Sequence, residues 1–155
     1  MRGVYTSDYD CSGVVVGPKT LLMLQAPSNG VLEVLRASIT NLTNGTAEQW
    51  NGGLYRINSM ASAGTFQGNA NLQKHELLDP STVAVSSGYI LSGEPTYSPY
   101  PIDRQGFNNL GGYSYDPIPE ERPVIKPGDY VGLRLTNATI TSGHINAEIT
   151  YREIG

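Results

Sequence analysis

His75 and His144 are the only imidazoles in the chain and Cys11 is its only thiol. Acid–base, nucleophilic or metal chemistry would have to be assembled from these three, the carboxylates and the tyrosines. A Ser-His-Asp hydrolase needs an imidazole held between a nucleophile and an orienting carboxylate. His144 instead begins a segment of alternating polarity on its polar side, and His75 sits in Lys74-His75-Glu76, the pattern of a solvated turn. Both read as ordinary surface or loop residues, and no Gly-x-Ser-x-Gly elbow occurs. Asp8 with Asp10, or Asp116 with Glu120 and Glu121, could offer oxygen to a hard cation. Neither group has the ligand number or spacing of a Ca²⁺ loop, so no metal is expected. A carboxylate pair for glycoside hydrolysis needs only to meet in space, so spacing in sequence neither supports nor removes it. Cys11 has no second cysteine for a disulfide or a metal knuckle and reads as a small buried or half-buried residue. No enzyme and no cofactor is expected.

The tyrosines are the more informative chemistry. Tyr is present ten times against two Phe and one Trp. Tyr97, Tyr100, Phe107, Tyr113 and Tyr115 crowd into residues 92–123, a stretch that also carries Pro95, Pro99, Pro101, Pro117, Pro119 and Pro123. A tyrosine ring offers apolar area, a polar tip and little rotamer entropy to lose, which suits a protein interface and also stacking on a sugar face. The alternative is that these rings cover the open end of their own domain. Because each proline pushes its predecessor toward an extended conformation, the segment is expected to cross the surface as a long loop without regular pairing. The candidate partner-interface residues are Tyr5, Tyr9, Tyr97, Tyr100, Phe107, Tyr113 and Tyr115.

The elements that position these side chains read as strands. In 143–151 apolar residues fall at Ile145, Ala147, Ile149 and Tyr151, with polar ones between, a period of two that only a strand converts into one buried face. Val131, Leu133 and Leu135 alternate after the turn signal Pro127-Gly128-Asp129, giving a second strand. Residues 20–26 form a continuous apolar run, expected as a strand buried on both faces or at a subunit contact. Residues 31–39 fit two patterns. Val31, Val34, Leu35, Ser38 and Ile39 have helical spacing, whereas Leu35, Ala37 and Ile39 alternate, and the β-branched content favours a strand with a bulge near Glu33. A short strand is expected at 54–57, a surface loop at 60–71, strand fragments at 82–85 and 89–91, and an N-terminal arm with a first strand over 1–19.

The chain has 155 residues, 18 Gly, 10 Pro and only 15% charged residues, which describes one all-β domain, an antiparallel β-sandwich with long loops and little helix. A net charge of −4 without any Lys/Arg run argues against a nucleic-acid surface. Met1 to Pro18 is polar and Asp-bearing, so neither a signal peptide nor a membrane span is expected. The Asn-x-Thr triplets at Asn41, Asn44 and Asn137 then read as turn chemistry.

The order of these elements resembles a known family. The apolar run after Thr20 with Ala26-Pro27-Ser28 and Val31-Leu32-Glu33-Val34-Leu35-Arg36-Ala37 comes first. Gly106-Phe107-Asn108, Val124-Ile125-Lys126-Pro127-Gly128-Asp129 and Ala147-Glu148-Ile149-Thr150-Tyr151-Arg152-Glu153 follow. Together they look like the small jelly-roll decoration, or cement, proteins of tailed-phage capsids. The resemblance covers most of the chain after Thr20 and rests on pattern and order. It implies a jelly-roll-like sandwich that assembles as a homotrimer on the capsid exterior, in the virion, and clamps neighbouring major capsid subunits without a catalytic residue. The arm (residues 1–10) and the Tyr/Pro loop (92–123) would be the surfaces that touch neighbours. A second reading is a carbohydrate-binding sandwich of a tail or adhesion assembly, using Trp50 or the loop tyrosines as platforms and Asp103, Asn108 and Asn109 as hydroxyl partners. A trimeric signalling ligand of the tumour-necrosis-factor type is the third.

Overall fold

The computed structural model describes residues 3–12, 15–43, 45–137, 139–140 and 144–155. Val14, Asn44, Ala138 of the Asn137 triplet, and Gly143 lie outside the described residues. Twelve strands build the two main sheets: β1 (Gly3–Ser12), β2 (Lys19–Gln25), β3 (Val31–Asn41), β4 (Gln49–Ser59), β5 (Asn71–Lys74), β6 (Val85–Ser87), β7 (Thr96–Tyr97), β8 (Asp103–Asn108), β9 (Tyr113–Tyr115), β10 (Val124–Ile125), β11 (Tyr130–Leu135) and β12 (His144–Ile154). Sheet 1 runs β9-β3-β12-β1-β5, with β10 also on β3. Sheet 2 runs β7-β4-β11-β2-β6, with β8 also on β4. All pairings are antiparallel, and the chain passes repeatedly from one sheet to the other. The expected all-β antiparallel sandwich is what forms.

Period-two patterning explains which side chains meet between the sheets. Ile145, Ala147, Ile149 and Tyr151 of β12 are buried and alternate with half-exposed polar residues, as read from the sequence. Val131, Leu133 and Leu135 of β11 face them from sheet 2 with Leu22, Leu24 and Leu54. Residues 21–24 are buried on both faces as expected, because β2 has sheet 1 on its inner side and residues 89–97 across its outer side. The turn into β11 is a β-turn closed by Asp129 N–H donating to Lys126 C=O, with Pro127 second and Gly128 third at φ +77°. Proline presets the second position of such a turn, and a positive φ at the third is cheap only for glycine.

Residues 31–41 are a strand, and the helical alternative fails on burial: Leu32, Val34, Ala37 and Ile39 are inside, whereas Val31, Leu35 and Ser38 are only half-buried. The phase change between Val34 and Ala37 is a bulge, because Thr150 lies opposite Arg36 and Tyr151 opposite Val34. Leu35 is thus left without a partner, two residues beyond the position expected.

Three expectations are corrected. Residues 3–12 are not an arm: β1 lies between β12 and β5 and is paired along its whole length. Its Tyr5, Ser7 and Cys11 face inward and are buried. Their small and aromatic side chains hide the alternation that marks β12. Residues 92–123 are not an unpaired loop, since β8 pairs with β4 over six residues and β9 with β3. The prolines stop at Pro101 and resume at Pro117, and the paired strands occupy the interval they leave free. The strand expected at 54–57 extends over Gln49–Ser59 because β8 and β11 pair on its two sides. Strand pairing also takes in Phe66–Gln67 with Tyr89–Ile90, inside or beside stretches read as loop or fragment.

Candidate functional site

The aromatic residues proposed for a partner interface separate by burial. Trp50 of β4 lies directly opposite Phe107 of β8, and their rings meet edge to face at 6.2 Å. Phe107 then packs on Tyr113 at 5.9 Å. All three are buried. They plug one end of the sandwich and present no platform to a sugar. The Tyr113 hydroxyl donates to Asp103 Oδ2 at 2.9 Å, and burial followed by that carboxylate raises its pKa well above the ordinary tyrosine value. Asn109 is likewise buried and spent internally: its Oδ1 accepts from Glu48 N–H and its Nδ2 donates to Thr46 C=O.

Tyr5 is inside sheet 1, stacked at 5.7 Å on Tyr151, with its hydroxyl donating to Pro80 C=O at 2.8 Å. Tyr9 and Tyr115 are half-buried against the core. Tyr100, 81% exposed, is the one member of the set that projects freely. The structure therefore does not bring the seven residues onto one surface. Ring size and polarity were legible in the sequence; which rings the opposite sheet covers was not.

Tyr97 belongs to a polar cluster on the outer face of sheet 2. Glu94 accepts from Thr20 N–H at 2.9 Å and from Thr20 Oγ1 at 2.7 Å, and the Tyr97 hydroxyl is hydrogen-bonded to the same Thr20 oxygen. Arg134 places its guanidinium 4.5 Å from the Tyr97 ring centre and its Nε 3.7 Å from Glu94 Oε2. Tyr55 closes the cluster edge-on at 5.5 Å from Tyr97. Burial pushes the Tyr97 pKa above the ordinary tyrosine value, the Thr20 hydrogen bond opposes the shift, and the Glu94 charge adds to it. A perturbed tyrosine beside a carboxylate and a guanidinium is a combination found in active sites. Here each group is occupied by another, and the cluster fastens Glu94 and Tyr97 to Thr20 and Arg134, with Tyr97 lying over Gly132. Two shallow depressions, of about 310 and 350 Å³, lie elsewhere. Arg56, Ile57, Asn58, Asp129 and Tyr130 line one, and Asn51, Arg104, Gln105, Gly106 and Thr136 the other.

The remaining reactive candidates are dispersed. His75 is exposed, with Nε2 2.8 Å from Thr6 Oγ1, and His144 is exposed at the start of β12. Asp8 and Asp10 lie on the polar outer face of sheet 1, where Asn71, Gln73 and Asn146 donate to them. No group of three or more His, Cys, Asp or Glu placed to hold a metal ion occurs among the described residues. Cys11 is buried, its thiol directed at Leu21 C=O, and burial with the nearby Asp10 charge pushes its pKa up to about 12. Asn41 makes the turn contact expected of its triplet, with Oδ1 accepting from Thr43 N–H and Oγ1. No helix among the described residues is long and apolar enough to cross a membrane.

Two features lie outside the residues singled out from the sequence. Glu153, on β12, is fully buried, and its Oε1 accepts from Thr82 Oγ1, from Val83 N–H at 3.0 Å and from Ala84 N–H at 2.9 Å. It fastens the passage from β5 in sheet 1 to β6 in sheet 2. The same passage carries Leu77 and Leu78, 99% and 97% exposed. A polar residue at an inward position of an alternating strand was the available signal for the first. An apolar pair with no periodic partner before Asp79-Pro80 was the signal for the second.

No family model matches the chain, and no solved structure matches it. A 70-residue stretch is 39% identical to neuronal cell adhesion molecule of Gallus gallus, covering 40% of this chain and 5% of that protein.

Proposed function

We propose that this protein is a non-enzymatic structural protein that decorates a phage capsid, docking as a homotrimer on the shell exterior and bridging neighbouring major capsid subunits. The observation that carries the reading is where apolar surface remains. The inward faces of the strands are packed away, and Leu72, Val85, Val124 and Ile154 remain partly exposed on strands. Leu77, Leu78, Tyr100, Leu110 and Ile118, each more exposed than any of these, stand in the connections together with Leu91. Single exposed apolar residues are ordinary, but large ones recurring on several connecting loops are what a protein offers to partner surfaces. The strand order supports the family resemblance as well. The strands β9-β3-β12-β1 oppose β8-β4-β11-β2, with the chain alternating between the sheets, which is the jelly-roll arrangement the resemblance implies. An acidic surface, at net −4, keeps such a protein soluble until it docks. Binding only the assembled shell then stabilises that shell by mass action, without any reactive group.

The surface assigned to docking changes with the fold: β1 is committed to sheet 1, so the exposed loops rather than an N-terminal arm are the contact elements. The carbohydrate reading loses Trp50 and Asn109, which are inside, and Asp103, which is held by Tyr113 and Gln105, and keeps as exposed residues only Tyr100 and Asn108. Light scattering on the purified chain, followed by co-sedimentation with empty shells and with a polysaccharide, tests the proposal. A trimer that pellets with shells and ignores the glycan is the expected result. A monomer that binds the polysaccharide and leaves shells in the supernatant overturns it.

A further inference from the structure

From the connection between β5 and β6 we infer a specific docking element: Leu77 and Leu78 are a rigidly presented anchor that inserts into an apolar, basic-rimmed socket on the repeating protein surface of the shell. The inference rests on the decoration reading and adds to it the contact element and the chemistry of its partner.

A loop tip that merely wandered would gain nothing from two leucines, but this one is braced on both sides. Upstream, His75 N–H donates to Val4 C=O at 3.0 Å, so the chain leaves β5 still paired to β1. Asp79 N–H donates to Glu76 C=O at 3.2 Å, closing a turn with Leu77 and Leu78 at its two central positions. The Asp79 carboxylate accepts from Val4 N–H at 3.2 Å, and its carbonyl accepts from Lys74 Nζ at 2.8 Å. Downstream, Pro80 C=O is held by the Tyr5 hydroxyl, and Thr82, Val83 and Ala84 by Glu153. His75, Asp79 and Pro80 on the two sides of the pair are anchored to β1, while the leucines themselves are almost wholly in water. An apolar pair whose backbone is already fixed has only side-chain freedom left to lose on docking, which favours an interface anchor.

The size of the anchor indicates what kind of surface receives it. A stable one-to-one interface takes about 20–30 residues a side. Burying a leucine is worth roughly 10- to 150-fold in association, so two give a contact of at best about 10 mM to 0.05 mM dissociation constant. That is too weak for a stable pair of free proteins. It is sufficient where several copies of one oligomer engage a repeating lattice, because linked weak contacts multiply. Lys74, Glu76 and Asp79 frame the leucines with a net charge of −1. Lys74 is drawn to the Asp79 side of the turn and the Asp79 carboxylate is turned back on β1, so Glu76 is the charge left at the rim and calls for a basic border on the socket.

The test uses the full chain, wild type and L77S/L78S, with empty shells assembled from the major capsid protein of the same phage. Phosphatidylcholine–phosphatidylglycerol vesicles and light scattering across a concentration series run in parallel. The expected result is at least a tenfold loss of shell occupancy for the double variant at an unchanged melting temperature, with weaker wild-type binding at higher salt. Equal occupancy of wild type and variant removes the loop while leaving decoration intact. Wild type that never pellets with shells removes both. Leucine-dependent vesicle binding or leucine-dependent self-association without shell binding assigns the anchor to a membrane or a second copy and overturns the socket.

Discussion

Glu153→Ala is the substitution that most directly tests how the two sheets are tied together. The wild-type carboxylate is fully buried, and its Oε1 is the common acceptor for two backbone amides, of Val83 and Ala84, and the Thr82 hydroxyl. Orphaning a part-buried donor costs about 1–3 kcal/mol, and bonds to an ionised acceptor lie at the upper end. Part of this is returned, because Oε2 has no hydrogen-bond partner and its desolvation is relieved on truncation. Thr82 and Ala84 are only half-buried and Val83 is exposed, so these amides can also recover some water. The net expectation is a loss of about 2–4 kcal/mol for Glu153→Ala and about half that for Glu153→Gln, which keeps an acceptor but not the charge. Thr82→Val should cost about 1 kcal/mol, and less in the Glu153→Ala background, since the two share one interaction. Urea unfolding followed by the fluorescence of Trp50, the sole and buried tryptophan, gives the free energies. Amide exchange at Val83 and Ala84 should rise well before the rest of sheet 1. A Glu153→Ala variant within about 0.5 kcal/mol of wild type, with exchange at those amides unchanged, refutes the clamp.

Three further outcomes are expected. Gly53→Ala would place a Cβ 2.1 Å from the Asp103 carbonyl oxygen and 2.8 Å from Arg104 Cα, so β8 must move away from β4. A cost of about 2 kcal/mol or more should appear as a melting temperature lower by roughly 4–8 °C. Tyr97, Tyr113 and Tyr151 all have pKa values raised mainly by burial, so their neutral form belongs to the fold. Their contribution is intact below about pH 10 and falls as pH rises, by up to about 1.4 kcal/mol per pH unit for each. The urea midpoint should therefore drop steeply between pH 10 and 11, and a flat profile there would show that these hydroxyls are not held neutral. Cys11, with its thiol pushed up to about 12, should resist a thiol-specific disulfide reagent at pH 8 and react at once in denaturant.

Sequence alone settled those features that depend on near neighbours. The alternation of Ile145, Ala147, Ile149 and Tyr151 is enough to specify a strand and its buried face, and Pro127-Gly128 is enough to specify the turn before β11. The unbroken apolar run at 20–26 likewise announced a strand covered on its second face by its own chain or by a subunit, and the fold decided for its own chain at 21–24. From such elements the antiparallel sandwich could be read in advance. Which aromatic rings face solvent could not, because Trp50, Phe107 and Tyr113 are buried by pairing between strands far apart in the chain, and their composition matches that of the exposed Tyr100. β1 was hidden for the same reason: its inward Tyr5, Ser7, Tyr9 and Cys11 look like an arm until β12 and β5 flank them. The tertiary structure alone decided that Glu153 is an internal acceptor rather than a surface charge, and that Leu77 and Leu78 are left outside. Burial is a property of what the rest of the chain brings against a residue, and local pattern carries no record of it.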